Sequence, residues 1–165
     1  LAYEELMKKI FLFLILTAFL SACVDTAIDA YEESKVEYAK QKTFFKADKG
    51  SVGAQYESGK LNCCGESSKK DPKEALRWFC LAARNGSADA MYMIGFIYEN
   101  SGLFDAGSLR KDEVLALAYY KLALNAGNLE SEKSYNKLVE KSTIDKVQKA
   151  DTLVAMWPKV YCEVK

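Results

Sequence analysis

The chain of 165 residues contains no histidine. That removes Ser-His nucleophiles, histidine metal ligands and imidazole proton shuttles from the possible chemistries. Two prolines and nine glycines are too few for a collagen-like or Pro/Gly-rich disordered chain. Net charge is also lacking, since 23 Lys and Arg balance 23 Asp and Glu. Nucleic-acid binders normally show a basic excess, so nucleic acid is not an expected partner. No apolar run reaches the ~20 residues of a bilayer-spanning helix. The chain has no Cys-x-x-Cys, no Gly-x-Ser-x-Gly, no P-loop and no dinucleotide fingerprint. Strand-type alternation is absent over any useful length. What remains is a chain of one-domain length, half of it hydrophobic, able to build a core.

The N-terminus reads as an address. Met7-Lys8-Lys9 is a short basic segment, and residues 10–20 are apolar except for Thr17. Ser21, Ala22 and Cys23 follow as small residues. This is the order of a secretory signal over residues 7–22, with residues 1–6 as an upstream mis-start or remnant. Leu20-Ser21-Ala22-Cys23 resembles the bacterial lipobox. The resemblance implies cleavage before Cys23, acylation of that cysteine and a mature chain of 143 residues. Val24, rather than an aspartate, follows Cys23. By the same resemblance this favours the outer membrane, with the protein facing the periplasm.

The body repeats itself. Glu74-Ala75-Leu76-Arg77-Trp78-Phe79 aligns with Leu115-Ala116-Leu117-Ala118-Tyr119-Tyr120, 41 positions later. A weaker copy ends at Gly50, 36 positions before Gly86, and Gly59 matches Gly95 at the same offset. Ala75, Phe79 and Ala82 fall at helical spacing, as do Ala116, Tyr120 and Ala123. Small alanines permit close helix approach, and aromatic rings fill the gaps between. Gly50, Gly86 and Gly127 suit left-handed helix ends. Asp71, followed by Pro72, and Asp112 suit helix starts. Residues 25–49 read as an N-terminal capping helix with an apolar stripe of Ile28, Tyr31, Tyr38 and Phe45. Thr143-Ile144-Asp145 opens a last helix bearing Val147, Ala150, Leu153, Val154 and Trp157 and stopping at Pro158.

Asp71-Pro72-Lys73-Glu74-Ala75-Leu76-Arg77-Trp78-Phe79, then Gly86, Ala90 and Ile94-Gly95-Phe96-Ile97-Tyr98, resembles the Sel1-like repeat, a variant of the tetratricopeptide class. The resemblance implies an all-α fold: a short right-handed α-solenoid of helix pairs with capping helices at both ends. The helical domain would span residues 23–158, with units near 39–65, 71–102 and 112–141, a cap at 143–157 and a tail at 159–165. It also implies that helices such as the one carrying Tyr92, Phe96 and Glu99 line a concave binding face.

The 41-residue offset exceeds 36, and the excess falls within residues 101–110. Leu103, Phe104 and Leu109 in this insertion are further candidate partner contacts. Glu66, Asp71, Asp112 and Glu113 sit near turns, where capping and solvation account for them without catalysis. Cys63, Cys64, Cys80 and Cys162 are disulfide candidates in an oxidising compartment. A Cys63–Cys64 bond looks strained, because adjacent Cα atoms lie only about 3.8 Å apart. Cys80 and Cys162 would then each meet one of the pair, or a single bridge would form; free buried thiols are the alternative. No metal and no cofactor are expected.

The address and the resemblance together imply a non-catalytic lipoprotein, anchored to the membrane at Cys23, that acts as a protein-interaction scaffold or adaptor. Its partner would be a secreted effector or an envelope component. One specific form is an immunity protein that neutralises a toxic effector such as a phospholipase. The alternatives are a self-associating structural lipoprotein and an envelope hydrolase.

Overall fold

A computed structural model describes residues 2–64, 71–101 and 109–158. Among these residues the chain forms seven α-helices and no strand: α1 Ala2–Asp48, α2 Val52–Cys63, α3 Pro72–Arg84, α4 Ala88–Asn100, α5 Glu113–Asn125, α6 Glu130–Val139 and α7 Ile144–Ala155. The chain divides into two units, residues 1–42 and 43–165.

The first unit is the N-terminal part of α1. Among its described side chains, Phe11, Leu12, Phe13, Leu14 and Leu20 are exposed, as are Ile28, Tyr31 and Tyr38. The stripe expected to pack is therefore left uncovered within this unit. In the second unit Phe45 is exposed too, while Ala47 is 1% exposed and Phe44 lies 5.8 Å from the Trp78 ring. Packing at the end of α1 thus uses the residues flanking Phe45, because the apolar set there spans more than one side of the helix. No helix among the described residues is long and apolar enough to cross a membrane.

The second unit is an α-solenoid in which successive helices stack. The same three devices recur along it. Asp71 Oδ1 accepts hydrogen bonds from the Lys73 and Glu74 amides, each at 3.0 Å, with Pro72 at the first helical position. Asp112 Oδ1 accepts from the Leu115 amide at 2.9 Å. These bonds satisfy donors that the first helical turn leaves open.

The glycine ends repeat with equal regularity. Gly50, Gly86 and Gly127 have φ of 88°, 90° and 96°, a region that only glycine enters without strain. Gly86 N–H donates to the Ala83 carbonyl and Ser87 N–H to the Ala82 carbonyl, both at 3.0 Å. Gly127 and Asn128 make the matching bonds to Leu124 and Ala123. Gly50 and Ser51 do the same to Ala47 and Lys46. Each is the paired bonding of a Schellman motif, and it turns the chain sharply into the next helix.

Packing sets which helices form a pair. The most extensive interfaces join α2 to α3 and α4 to α5, with lesser ones between α3 and α4 and between α5 and α6. The pairs are therefore offset by one helix from the units read in the sequence. Two glycines explain the closeness within pairs. Gly59 of α2 lies under the Phe79 ring of α3, and Gly95 of α4 lies under the Tyr120 ring of α5. Phe79 and Tyr120 are fully buried. Tyr56 and Tyr92 each add a tilted ring, 5.8 Å from Phe79 and 5.6 Å from Tyr120.

A polar link closes each end. Gln55, 4% exposed, donates to the Ala47 carbonyl at 3.2 Å and accepts from Asn85 at 3.1 Å. It thereby ties the end of α1 to α2 and to the turn after α3. At the other end, Glu113 at the start of α5 accepts hydrogen bonds from Ser142 and from Lys146 of α7. Tyr119 of α5 stacks on Tyr98 and meets Trp157 edge-on at 5.7 Å, which packs Trp157, two residues past α7, against the core.

The Lys146 ammonium, helped by the Ser142 hydroxyl, holds the Glu113 carboxyl below its ordinary pKa. A carboxyl depressed in the folded state adds stability above the unfolded value and loses it as pH falls through the folded value. Glu113→Gln is expected to cost about 0.5–1 kcal/mol at neutral pH, the scale of a partly exposed ion pair. The difference should vanish in strong acid. Urea midpoints of both proteins across that pH range check it, and a gap that persists at low pH would contradict it.

Candidate functional site

The site is the part of α4 that its own pair leaves accessible. Ser87 Oγ caps the helix by accepting from the Ala90 amide at 3.2 Å. From there the helix divides its residues by spacing. Ala90, Met91, Ile94, Gly95 and Ile97 are buried between α3 and α5. Tyr92, Phe96 and Glu99 are half-buried and follow one another at i, i+4 and i+7.

Each of these three is held in place by α5. The Tyr92 ring is tilted against Tyr120. Phe96 packs against the cluster that contains Ala116, Leu117 and Tyr120. Glu99 Oε2 accepts a hydrogen bond from the Tyr120 hydroxyl at 2.7 Å. Burial pushes the Tyr120 phenol well above its ordinary pKa, and the Glu99 carboxylate adds to the shift. The phenol therefore stays protonated and remains a donor to Glu99 throughout the physiological range. Next to this face, Asp89 accepts from Asn128 Nδ2 at 2.7 Å, linking the start of α4 to the turn before α6.

Chemically, this arrangement offers two aromatic surfaces beside a carboxylate whose position is fixed. The hydroxyl that it pairs with a carboxylate, that of Tyr120 with Glu99, belongs to a fully buried side chain. Asp71 and Asp112 are engaged as caps, and Glu113 is paired with Lys146. Among the described residues no group of three Cys, Asp or Glu side chains is placed to hold a metal ion.

The other expected contacts fall elsewhere. Leu109 is half-buried and packs against the core of the second unit, which accounts for part of its surface. Leu103, Phe104, Glu66 and Cys162 lie outside the described residues. Cys63 and Cys64 are bonded to each other, which corrects the expectation that adjacency would keep them apart. The helix ends between them: Cys63 is the last residue of α2 and Cys64 takes a non-helical φ of −132° and ψ of 2°. With both engaged in that bond, neither bridges to Cys80. Cys80 is disulfide-bonded, and Cys23 is an exposed free thiol. Tyr120 was legible only as a core position; its bond to Glu99 had no signal in the spacing. The Gln55 link had no periodic signal at all, since a glutamine in a helix usually faces solvent.

A family model for the Sel1 repeat matches residues 52–87 and 88–128. The chain carries two Sel1 repeats. Each matched stretch contains one of the two tightest pairs, α2 with α3 and α4 with α5, so the family's repeat boundaries and the packing agree in phase. Among solved structures, the chain is similar to a protective antigen present in uropathogenic Escherichia coli strains, displaying an SLR fold. The identity is 27% and the TM-score 0.65, over 75% of this chain. That alignment covers 26% of the antigen, so the chain spans about a quarter of its length. No curated protein gives a significant match. Sel1 and SLR folds generally mediate protein–protein interaction and typically serve as non-catalytic scaffolds.

Proposed function

We propose that this Sel1-repeat chain is a lipid-anchored, periplasm-facing protein that binds another protein through the α4 face, without catalysis. The observation that carries the reading is the trio Tyr92, Phe96 and Glu99, still accessible on α4 and held by α5. A surface already ordered by its own core loses little side-chain entropy on docking, so more of the contact energy appears as affinity. Aromatic residues in such positions are typical binding anchors. The address supports the location: a basic start, an apolar run and a lipobox-like Leu20-Ser21-Ala22-Cys23. Acyl chains on Cys23 would hold the protein on the outer membrane, since two or more buried chains anchor stably.

In its most specific form the partner is a secreted toxic effector such as a phospholipase, and binding occludes its active site or its membrane-binding face. Mild cross-linking of the native protein, followed by mass spectrometry, tests this. One dominant secreted toxin or lipase supports immunity. An envelope assembly would point to the adaptor form, and only self-cross-links would argue against both. Once the partner is in hand, Phe96→Ala is expected to weaken binding by roughly 30-fold, about the 2 kcal/mol of an interface hot spot. Titration calorimetry reads this, with Leu129→Ala as an exposed control on the following turn. Unchanged affinity for Phe96→Ala and Tyr92→Ala would remove this face from the interface.

A further inference from the structure

We propose that residues 24–42 of α1 form an interfacial helix, resting on an anionic phospholipid surface through the face of Val24, Ile28, Tyr31, Lys35, Tyr38 and Lys42. These six follow one another at alternating steps of four and three residues, which keeps them on one side of a helix. All six are exposed, Tyr38 to 68% and Val24 to 55%. Among the described residues of the 1–42 unit α1 is the only helix, and none of them covers the stripe.

The chemistry of the stripe selects its occupant. It bears aliphatic, tyrosyl and lysyl side chains and no acid. The five acids of the segment, Asp25, Asp29, Glu32, Glu33 and Glu37, project from the rest of the circumference. Lys35 lies 4.7 Å from the Tyr31 ring centroid and pairs with the flanking Glu32 at 3.0 Å. Tyrosine and lysine both have an apolar body and a polar end, the type of side chain that sits at a bilayer–water boundary. A helical partner fits less well. In a parallel pairing of two such helices, Ile28, Lys35 and Lys42 would share one seam and set lysine against lysine. A lipid headgroup instead offers phosphate to those two ammonium groups.

Continuity points the same way. The stripe begins directly after Cys23, the residue that would carry the acyl chains. The proposal rests on the reading that Cys23 anchors the chain, which places this helix at the membrane. The acyl chains hold the protein on the membrane, and the helix adds a second contact with the same surface.

The test uses the protein produced and processed with its lipid at Cys23, mixed with phosphatidylethanolamine–phosphatidylglycerol vesicles whose acyl chains are brominated. Tyr38→Trp places a fluorophore on the stripe, and Glu33→Trp places one on the far side. Trp78 and Trp157 give the same background in both. The emission added by Tyr38→Trp should be lost in part on binding, since an interfacial helix buries that face at the acyl boundary, while that of Glu33→Trp should not. Lys35→Gln with Lys42→Gln, or replacement of phosphatidylglycerol by phosphatidylcholine, should reduce the quenching. Protein that sediments with the vesicles while both tryptophans respond alike overturns the interfacial helix and leaves the anchor standing. Protein that does not sediment at all overturns the anchor and this proposal with it.

Discussion

Phe79→Ala is expected to destabilise the second unit by about 3–5 kcal/mol, the range for removing a buried aromatic ring. Phe79 is fully buried, and its ring fills the space that Gly59 leaves open on the facing helix. Tyr56 packs against it from the same helix as Gly59. Alanine would leave a void bounded by a glycine on one side, where no side chain can move in to close it. A domain of this size has about 5–15 kcal/mol of total stability, so the variant should be marginal. Chemical denaturation followed by circular dichroism measures the change. A loss below about 1 kcal/mol would mean that the helices collapse onto the gap, and the ring would then not be what spaces α2 from α3.

Gly95→Ala and Gly53→Ala are expected to change stability in opposite directions, although both add one methyl group to a helix. At Gly95 the new Cβ would stand 2.7 and 2.9 Å from Tyr120 ring atoms and 3.2 Å from the Ala116 carbonyl oxygen. Either α4 and α5 move apart or the Tyr120 ring turns, which would break its bond to Glu99. Overpacking of this kind costs about 1–3 kcal/mol. The better helix propensity of alanine offsets up to ~1 kcal/mol of that. At Gly53 nothing lies within 4 Å of the added Cβ, and the position is exposed. Only the propensity gain remains there, up to about 1 kcal/mol of stabilisation near the start of α2. Urea titrations of the two variants decide the matter. Equal signs would mean that the Gly95–Tyr120 approach is not the constraint that sets this pair. Gly59→Ala should behave as Gly95→Ala does, since its Cβ would meet Phe79 ring atoms at 2.5 Å.

The candidate site was partly readable in advance. Helical spacing singled out Tyr92, Phe96 and Glu99, and the structure brings them together on α4. What spacing could not supply was their support. Tyr120 lies on α5, and its hydroxyl meets Glu99 only because two helices are packed closely at Gly95. Leu109 shows the converse. As an apolar residue in an insertion it resembled an exposed anchor, yet the core had room for it. Local pattern reports which residue types occur at which interval. It does not report whether a surface elsewhere will cover them.

The same division runs through the whole chain. Sequence alone determined the helical repeat, its glycine ends and its aspartate starts, because these depend on backbone geometry within a few residues. It also determined which residues would be small and which aromatic at the repeat contacts. Tertiary structure alone decided the pairing phase, since each inner helix can pack on either neighbour and only the fit of Gly59 to Phe79 and Gly95 to Tyr120 selects one. It decided that Phe44 and Ala47, rather than Phe45, meet the core. Each of these outcomes turns on the distance between groups that the chain's own short-range geometry leaves free.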